Sequence, residues 1–301
     1  MDRFLIGQYG GFDYQKFHRD YRDSFFGIET CLFDSEVDVE NLIHESRKHN
    51  FQVGIHFPFR AGNSNIRDAL VLAQDDKVRE EAFAWIQQEL DYLTRIKPNY
   101  VLFHYPKPVI LDDRVDWNHW RFADASEYVY ESSYSFEEFA FRSEQLFEWL
   151  SIQAVKYDFT PVLEFDALNR YIYDTNLVEQ LLDKYSKIKL CLDTGRLFLQ
   201  EKLDPFFDAK QIIRKYAHYA EVIHLFNMQF TDRLINHRQP VLPELDPVDG
   251  WAPIEEYLKI IREQNPNVKI QFEHRSDLVS DEDLQRCYEW VDQVMNKVKI
   301  R

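Results

Sequence analysis

The sequence predicts an α/β protein, a single-domain (β/α)8 TIM barrel, and three observations carry that prediction. Eight short apolar runs recur along 301 residues, stretches of helical period lie between them, and the runs end on polar or glycine residues. Strands alternating with helices in this number close into a barrel. A chain with 45% hydrophobic residues can bury a large core, and barrels of this length commonly form one domain. Residues 1–301 are therefore expected to be one unit. A doubly wound open sheet would carry a glycine-rich phosphate turn after an early strand, and Gly10-Gly11 alone is a weak match.

The expected strands are RFLIGQYG, FFGIETCLF, FQVGIHFPF, NYVLFHYPKP, TPVLEFDA, IKLCLDTG, EVIHLFNM and VKIQFEHRS, in that order. The first helix is expected at 36–49, after the capping residue Ser35. The next covers 75–96, with Phe83, Ile86, Leu90 and Leu93 on one stripe. Ser135 followed by Glu138 reads as a capping box opening a third. NLVEQLLDKY follows Asp174 and Thr175; DPFFDAKQIIRKY reads as a helix with Asp204 as cap and Pro205 at its first position. APIEEYLKIIREQ and SDEDLQRCYEWVDQVMNKV complete the set. Residues 112–135 show neither period, and an irregular stretch of that length after the fourth strand is expected to be a loop or lid over the barrel mouth.

Charge and cysteine content narrow the partners. A formal net charge of -16 disfavours nucleic acid and anionic membranes and leaves small molecules as the expected ligands; homo-oligomer formation stays open. Cys31, Cys191 and Cys287 are odd in number and widely spaced, which suits free thiols in a reducing compartment. The N-terminus reads as no signal peptide and no apolar stretch is long enough to span a bilayer, so a cytoplasmic location is expected.

The strand KLCLDTGRLF raises the chemical question, because a buried strand ends on an acid. Asp193 is either a helix cap or a working residue. Catalytic groups of barrels sit at the C-terminal strand ends. Those ends supply His56, His104, Glu164, Asp193, His224 and Glu273. The last four lie on successive strands, and three carboxylates facing one imidazole would repel one another unless a cation neutralised them. Oxygen and nitrogen donors without thiolates favour a divalent ion, Mn2+, Co2+, Mg2+ or Zn2+, over copper or an iron-sulfur cluster.

The order Glu, Asp-Thr-Gly, His, Glu on successive strand ends resembles the xylose isomerase-like TIM barrel superfamily, in particular its sugar phosphate isomerase/epimerase group. The resemblance runs from GIHFPF through LEFDALN, LCLDTG and IHLFN to FEH. It implies a metal held by Glu164, Asp193, His224 and Glu273, with Glu164 and Glu273 also moving protons. Members of the group commonly have a His after Asp-Thr-Gly where this chain has Arg196, which offers a guanidinium fork in place of a ligand. The segment 227–251 is similar to the group's loop before the last helix, which implies Asn227, His237 and Trp251 on the substrate side. His56, His104 and Arg196 would orient hydroxyls or a phosphate.

The chemistry expected is isomerisation or epimerisation of a sugar, sugar phosphate or related polyol. A Lewis acid on a carbonyl stabilises the enediolate formed when the neighbouring carbon loses its proton, and two carboxylates exchange the roles of acid and base. The alternatives are a metal-dependent phosphodiesterase like endonuclease IV, or a barrel that binds a ligand without turnover. The first would need a basic groove and further His ligands. A glycosidase built on Glu164 and Glu273 would leave Asp193 and His224 without a role.

Overall fold

The computed structural model describes residues 1–62, 64 and 66–297. Eight parallel strands close on themselves: β1 (Phe4–Tyr9), β2 (Gly27–Cys31), β3 (Gln52–His56), β4 (Tyr100–Tyr105), β5 (Thr160–Phe165), β6 (Lys189–Asp193), β7 (Ala220–Leu225) and β8 (Lys269–Phe272). Each pairs with its sequence neighbours, and β8 returns to β1 through Phe4 opposite Ile270 and Ile6 opposite Phe272. The predicted (β/α)8 barrel is therefore the fold. Among the described residues no helix is long and apolar enough to cross a membrane, and the three cysteines are buried and free.

Two apolar layers hold the barrel. The larger lies between strands and helices and includes Phe4, Ile28, Leu163, Leu192 and Ile223. A separate inner cluster, Leu5, Tyr100, Leu102, Val162, Cys191 and Val222, plugs the interior. Successive residues of a strand point to opposite faces, so the sequence shows both layers as near-continuous apolar runs. Gly54 makes one interior packing feasible: a Cβ there would come within 2.3 Å of the Tyr100 ring, its register partner on β4.

The helices begin where their caps place them. Ser35 accepts a hydrogen bond from Val37 N ahead of Glu36–His49, and Asp75 from Lys77 N and Val78 N ahead of Asp76–Leu93. Ser135 accepts from Glu138 N, but the Glu138 carboxylate bonds Gln74 and Arg142, so half of the expected box forms. One expectation is corrected. Asp204 does not start a helix; it ends Thr194–Leu203, and Asp208 caps the next, Ala209–Tyr216. Strand β6 runs into the first of these without a loop, Asp193 ending the strand and capping the helix.

Residues 112–135 are more ordered than their composition suggests. Val109–Leu111 pairs in parallel with Tyr128–Tyr130, and single-turn helices occupy Ala125–Glu127 and Glu131–Ser133. Trp120 is buried and donates its indole N–H to Asp166 Oδ1 at 3.2 Å, which fastens the segment to the loop after β5.

Candidate active site at the barrel mouth

The polar tier sits one step above the interior plug. His104, Glu164, Asp193 and His224 each lie two residues beyond a plug residue, namely Leu102, Val162, Cys191 and Val222. Period-two alternation therefore turns all four inward. Register aligns them at one height, with His104 opposite Glu164 and Asp193 opposite His224. All six strand-end residues, with His56 and Glu273, are buried.

His224 stands at the centre. Its Nε2 lies 3.1 Å from the Glu29 carboxylate, which in turn accepts the Tyr100 hydroxyl at 2.6 Å. Glu29 accepts only, so Nε2 carries a proton and Nδ1 is the nitrogen that faces the site; against burial, Cys191, Glu29, Glu273 and Glu164 raise the basicity of His224 well above its ordinary value, so without a cation Nδ1 is protonated as well. That Nδ1 lies 3.4 Å from Glu164 Oε1 and 3.4 Å from Glu273 Oε1, and among the described residues it has no hydrogen-bond partner. A lone pair facing two carboxylate oxygens in a buried place is repulsive unless a proton or a cation sits between them.

Charge within the cluster is unevenly held. Burial, then the Glu273 and Glu164 charges, push the Asp193 carboxyl up to about 7. Against burial, the Arg238 guanidinium and His224 hold Glu273 at about 2. Tyr9 also donates its hydroxyl to Glu273 Oε1 at 3.0 Å. Glu164 is held well below the usual carboxylate range, as His104, His224 and Arg196 outweigh burial. Thus Glu164 and Glu273 are held ionised while Asp193 is the most basic of the three.

Donor atoms within 4.8 Å of one another form compact sets that could hold a cation: Glu29–His224–Glu273, Glu164–Cys191–His224 and His56–His104–Glu164 at the centre, with Asp68–His104–Asp166 beside them. Of the expected quartet, Glu164 and Glu273 each lie in a set with His224, but no one set holds both. Asp193 faces the same charges but belongs to none of these sets, and its Oδ1 caps the helix Thr194–Leu203 by accepting from Arg196 N at 2.9 Å. The choice posed by the sequence resolves with Asp193 as a cap that also feels the site. Gly195 beside it is needed because a Cβ there would lie 2.1 Å from the Phe226 ring.

No protein-family model matches the chain, and no curated protein matches it. Solved structures do. A xylose isomerase domain containing protein from Salmonella typhimurium LT2 is similar at 13% identity and a TM-score of 0.56, covering 98% of each chain. A D-psicose 3-epimerase with D-tagatose from Clostridium cellulolyticum H10 reaches 0.60 at 14% identity, over 98% of this chain and 100% of that one. An IolI protein with a binding zinc atom reaches 0.62 at 10% identity, over 99% and 100%. The fold is that of the xylose isomerase-like TIM barrels.

Within this barrel the remaining expected residues fall into two groups. His56, His104 and Arg196 reach the centre. His104 Nδ1 meets Asp68 Oδ2 at 2.9 Å and its Nε2 lies 3.0 Å from Glu164 Oε2; His56 Nε2 lies 3.2 Å from the same oxygen. Burial works against a charged His104, but Asp68 and Glu164 outweigh it and raise its basicity, whereas burial lowers that of His56. Arg196 turns inward, 2.7 Å from Asp166 Oδ1 and 3.4 Å from Glu164 Oε1. Asn227 and Trp251 stay in the loop instead. The Asn227 carbonyl accepts from Met228 N and Ala252 N, and Trp251 bridges to Gln229 through its backbone. His237 packs edge-on against Phe226, on the hairpin formed by Asn227–Phe230 and Leu234–Gln239.

Sequence reasoning missed Glu29 and the buried Lys107. Lys107 Nζ lies 2.9 Å from Asp68 Oδ2 and 2.8 Å from Asp166 Oδ2. Both had a signal: Glu29 is a lone acid in the apolar run GIETC, and Lys107 follows the strand end HYPKP.

Proposed function

We propose that this chain is a divalent-metal-dependent isomerase or epimerase of a sugar, sugar phosphate or related polyol. One observation carries the reading: the unpartnered, buried His224 Nδ1 set between the Glu164 and Glu273 carboxylates. Glu164, His224 and Glu273 would hold a divalent cation, His224 Nδ1 being 3.4 Å from an oxygen of each, with Asp193 completing the charge. Manganese is the first choice, cobalt, magnesium and zinc the others. When bound, such an ion supplies a Lewis acid that makes the hydrogen beside a carbonyl acidic.

The chain's own residues do the rest. Glu164 and Glu273 approach the centre from β5 and from the end of β8, two walls of the barrel with β6 and β7 between them. One removes the proton and the other returns one, to the opposite face for epimerisation or to the adjacent carbon for isomerisation. Tyr9 and Arg238 hold Glu273 in place; His104 holds Glu164. Glu29 fixes which ring nitrogen of His224 faces the site, as a carboxylate behind a ligating histidine does elsewhere. The geometry speaks against a phosphodiesterase with several metals: Arg67 and Arg196 each place a guanidinium nitrogen 3.3 Å from the Nε2 of His56 and His104, where further ions would sit.

The test joins elemental analysis to solvent exchange. Protein supplied with manganese is expected to retain about one divalent ion per chain and to lose thermal stability on chelation. It should also exchange a C–H hydrogen with deuterium in at least one member of a panel of ketoses, aldoses, their phosphates and cyclic polyol ketones. Protein that holds no stoichiometric ion and exchanges nothing ends this reading and leaves a non-catalytic barrel. A narrower prediction concerns Glu29→Gln, which keeps an acceptor for Tyr100 but loses the charge behind His224. Manganese affinity by calorimetry should fall about 10–100-fold with unchanged circular dichroism; unchanged affinity would detach Glu29 from the site.

A further inference from the structure

The long segment after β4 builds more structure than a connection from strand to helix requires. Its chain surrounds an open cavity of about 500 Å³ whose walls carry the aromatic rings of Trp117, Trp120, Phe122, Tyr128 and Tyr130. That is the volume of a small-molecule site. Phe122 and Tyr128 stand 4.6 Å apart with their planes 36° from parallel, and Tyr130 meets Tyr128 edge-on at 5.9 Å. Both indole N–H groups are engaged elsewhere, by the Asp112 carbonyl and by Asp166 Oδ1, so the tryptophans offer the cavity ring carbon alone.

Polar groups complete the wall. Asp116, Asn118 and Asp124 line the same cavity, and no Lys or Arg does. Asp116 and Asp124 each use Oδ1 to accept a turn N–H, from Asn118 and from Ser126, and among the described residues neither makes an ion pair. Aromatic faces beside uncompensated acceptors suit a neutral ligand rich in hydroxyl donors. A pyranose ring has both halves of that chemistry, a face of C–H groups to lie on an aromatic ring and an edge of hydroxyls to donate to carboxylates and amides. An anion would meet two carboxylates and no counter-charge.

The cavity is also tied to the reacting centre. Trp120, from its wall, donates at 3.2 Å to the same Asp166 oxygen that Arg196 binds at 2.7 Å, and Arg196 lies 3.4 Å from Glu164. Two side chains thus link the aromatic wall to the Glu164 carboxylate. We propose that this cavity is a subsite for a second, neutral sugar ring, so that the substrate is a glycoside of two or more units and not a free monosaccharide. The reacting ring then occupies the barrel mouth at Glu164 and Glu273. This rests on the isomerase reading for which ring reacts, whereas the second ring is measured by binding alone.

The experiment compares D-glucose with cellobiose, maltose and phenyl β-D-glucoside by calorimetry on the full chain at fixed manganese. Cellobiose or maltose is expected to bind about tenfold or more tightly than glucose. Tyr130→Ala, at a position 41% exposed, should cut that advantage about threefold or more and leave folding intact. Phe122→Ala should act in the same direction, and the two together should remove most of the advantage. Disaccharides that bind no more tightly than glucose, or an advantage that survives both substitutions, overturn the proposal. Phenyl glucoside binding more tightly than both disaccharides overturns it too, because the cavity would then hold an aromatic group in place of a sugar. Absence of deuterium exchange with a preserved, Tyr130-dependent advantage would instead sink the isomerase reading and leave the subsite.

Discussion

Glu164→Gln and Glu273→Gln are each expected to abolish exchange of a substrate hydrogen with solvent deuterium, a loss of about 10²–10⁴-fold for one acid–base partner. Both substitutions keep size and hydrogen-bonding oxygen while removing the proton acceptor. In the wild type both groups are ionised despite burial, because Arg238 and His224 hold Glu273 down and His104, His224 and Arg196 do the same for Glu164. Each variant also removes a charge beside His224 Nδ1, so manganese affinity should fall with activity. Exchange measured at saturating manganese separates the two effects. A variant that regains full exchange there loses its acid–base assignment and remains only a holder of the ion.

Lys107→Met is expected to destabilise the barrel by about 3–5 kcal/mol, read from denaturant unfolding. Methionine fills a similar volume, so the loss is electrostatic. Lys107 is buried with its ammonium between Asp68 and Asp166, and removing it leaves two carboxylates in a dry place with less counter-charge. Against burial, His104, Lys107 and Arg67 hold Asp68 well below its ordinary value, and Lys107, Arg196 and His104 do so for Asp166. Carboxylates depressed on folding stabilise above their unfolded value, about 4, and that contribution is lost as pH falls through the folded value. The deficit of Lys107→Met should therefore be widest near neutral pH and narrow as the variant's carboxylates take up protons on acidification. A deficit independent of pH would mean a packing defect and would detach Lys107 from the ion network.

The parts of the site legible in the sequence were those that obey a local rule. Glu164, Asp193 and His224 stand two residues past an apolar residue at a strand end, and that spacing alone turns them inward. Glu29 stands two residues past Gly27, mid-strand, and its partners Tyr100 and His224 lie 71 and 195 residues away. No local pattern marks such a contact. Arg196 was read as a fork open to ligand, yet Asp166, two residues past Glu164, draws it inward. Asn227 followed the loop resemblance, whereas its carbonyl serves the backbone of that loop. The barrel itself was legible because eight strands and their helices repeat one pattern. The missed helix Thr194–Leu203 follows its strand directly, with Asp193 both ending the strand and capping the helix.

Gly54 touches none of the reacting groups, yet the Tyr100 ring occupies the space where its side chain would be, and that ring reaches across to Glu29. A mutational scan would thus score position 54 among the activity-determining positions although it offers no functional group. Ranking residues by their distance to a ligand would overlook it: in this barrel the room that a missing side chain leaves under the floor is as much a part of the site's blueprint as the acids above.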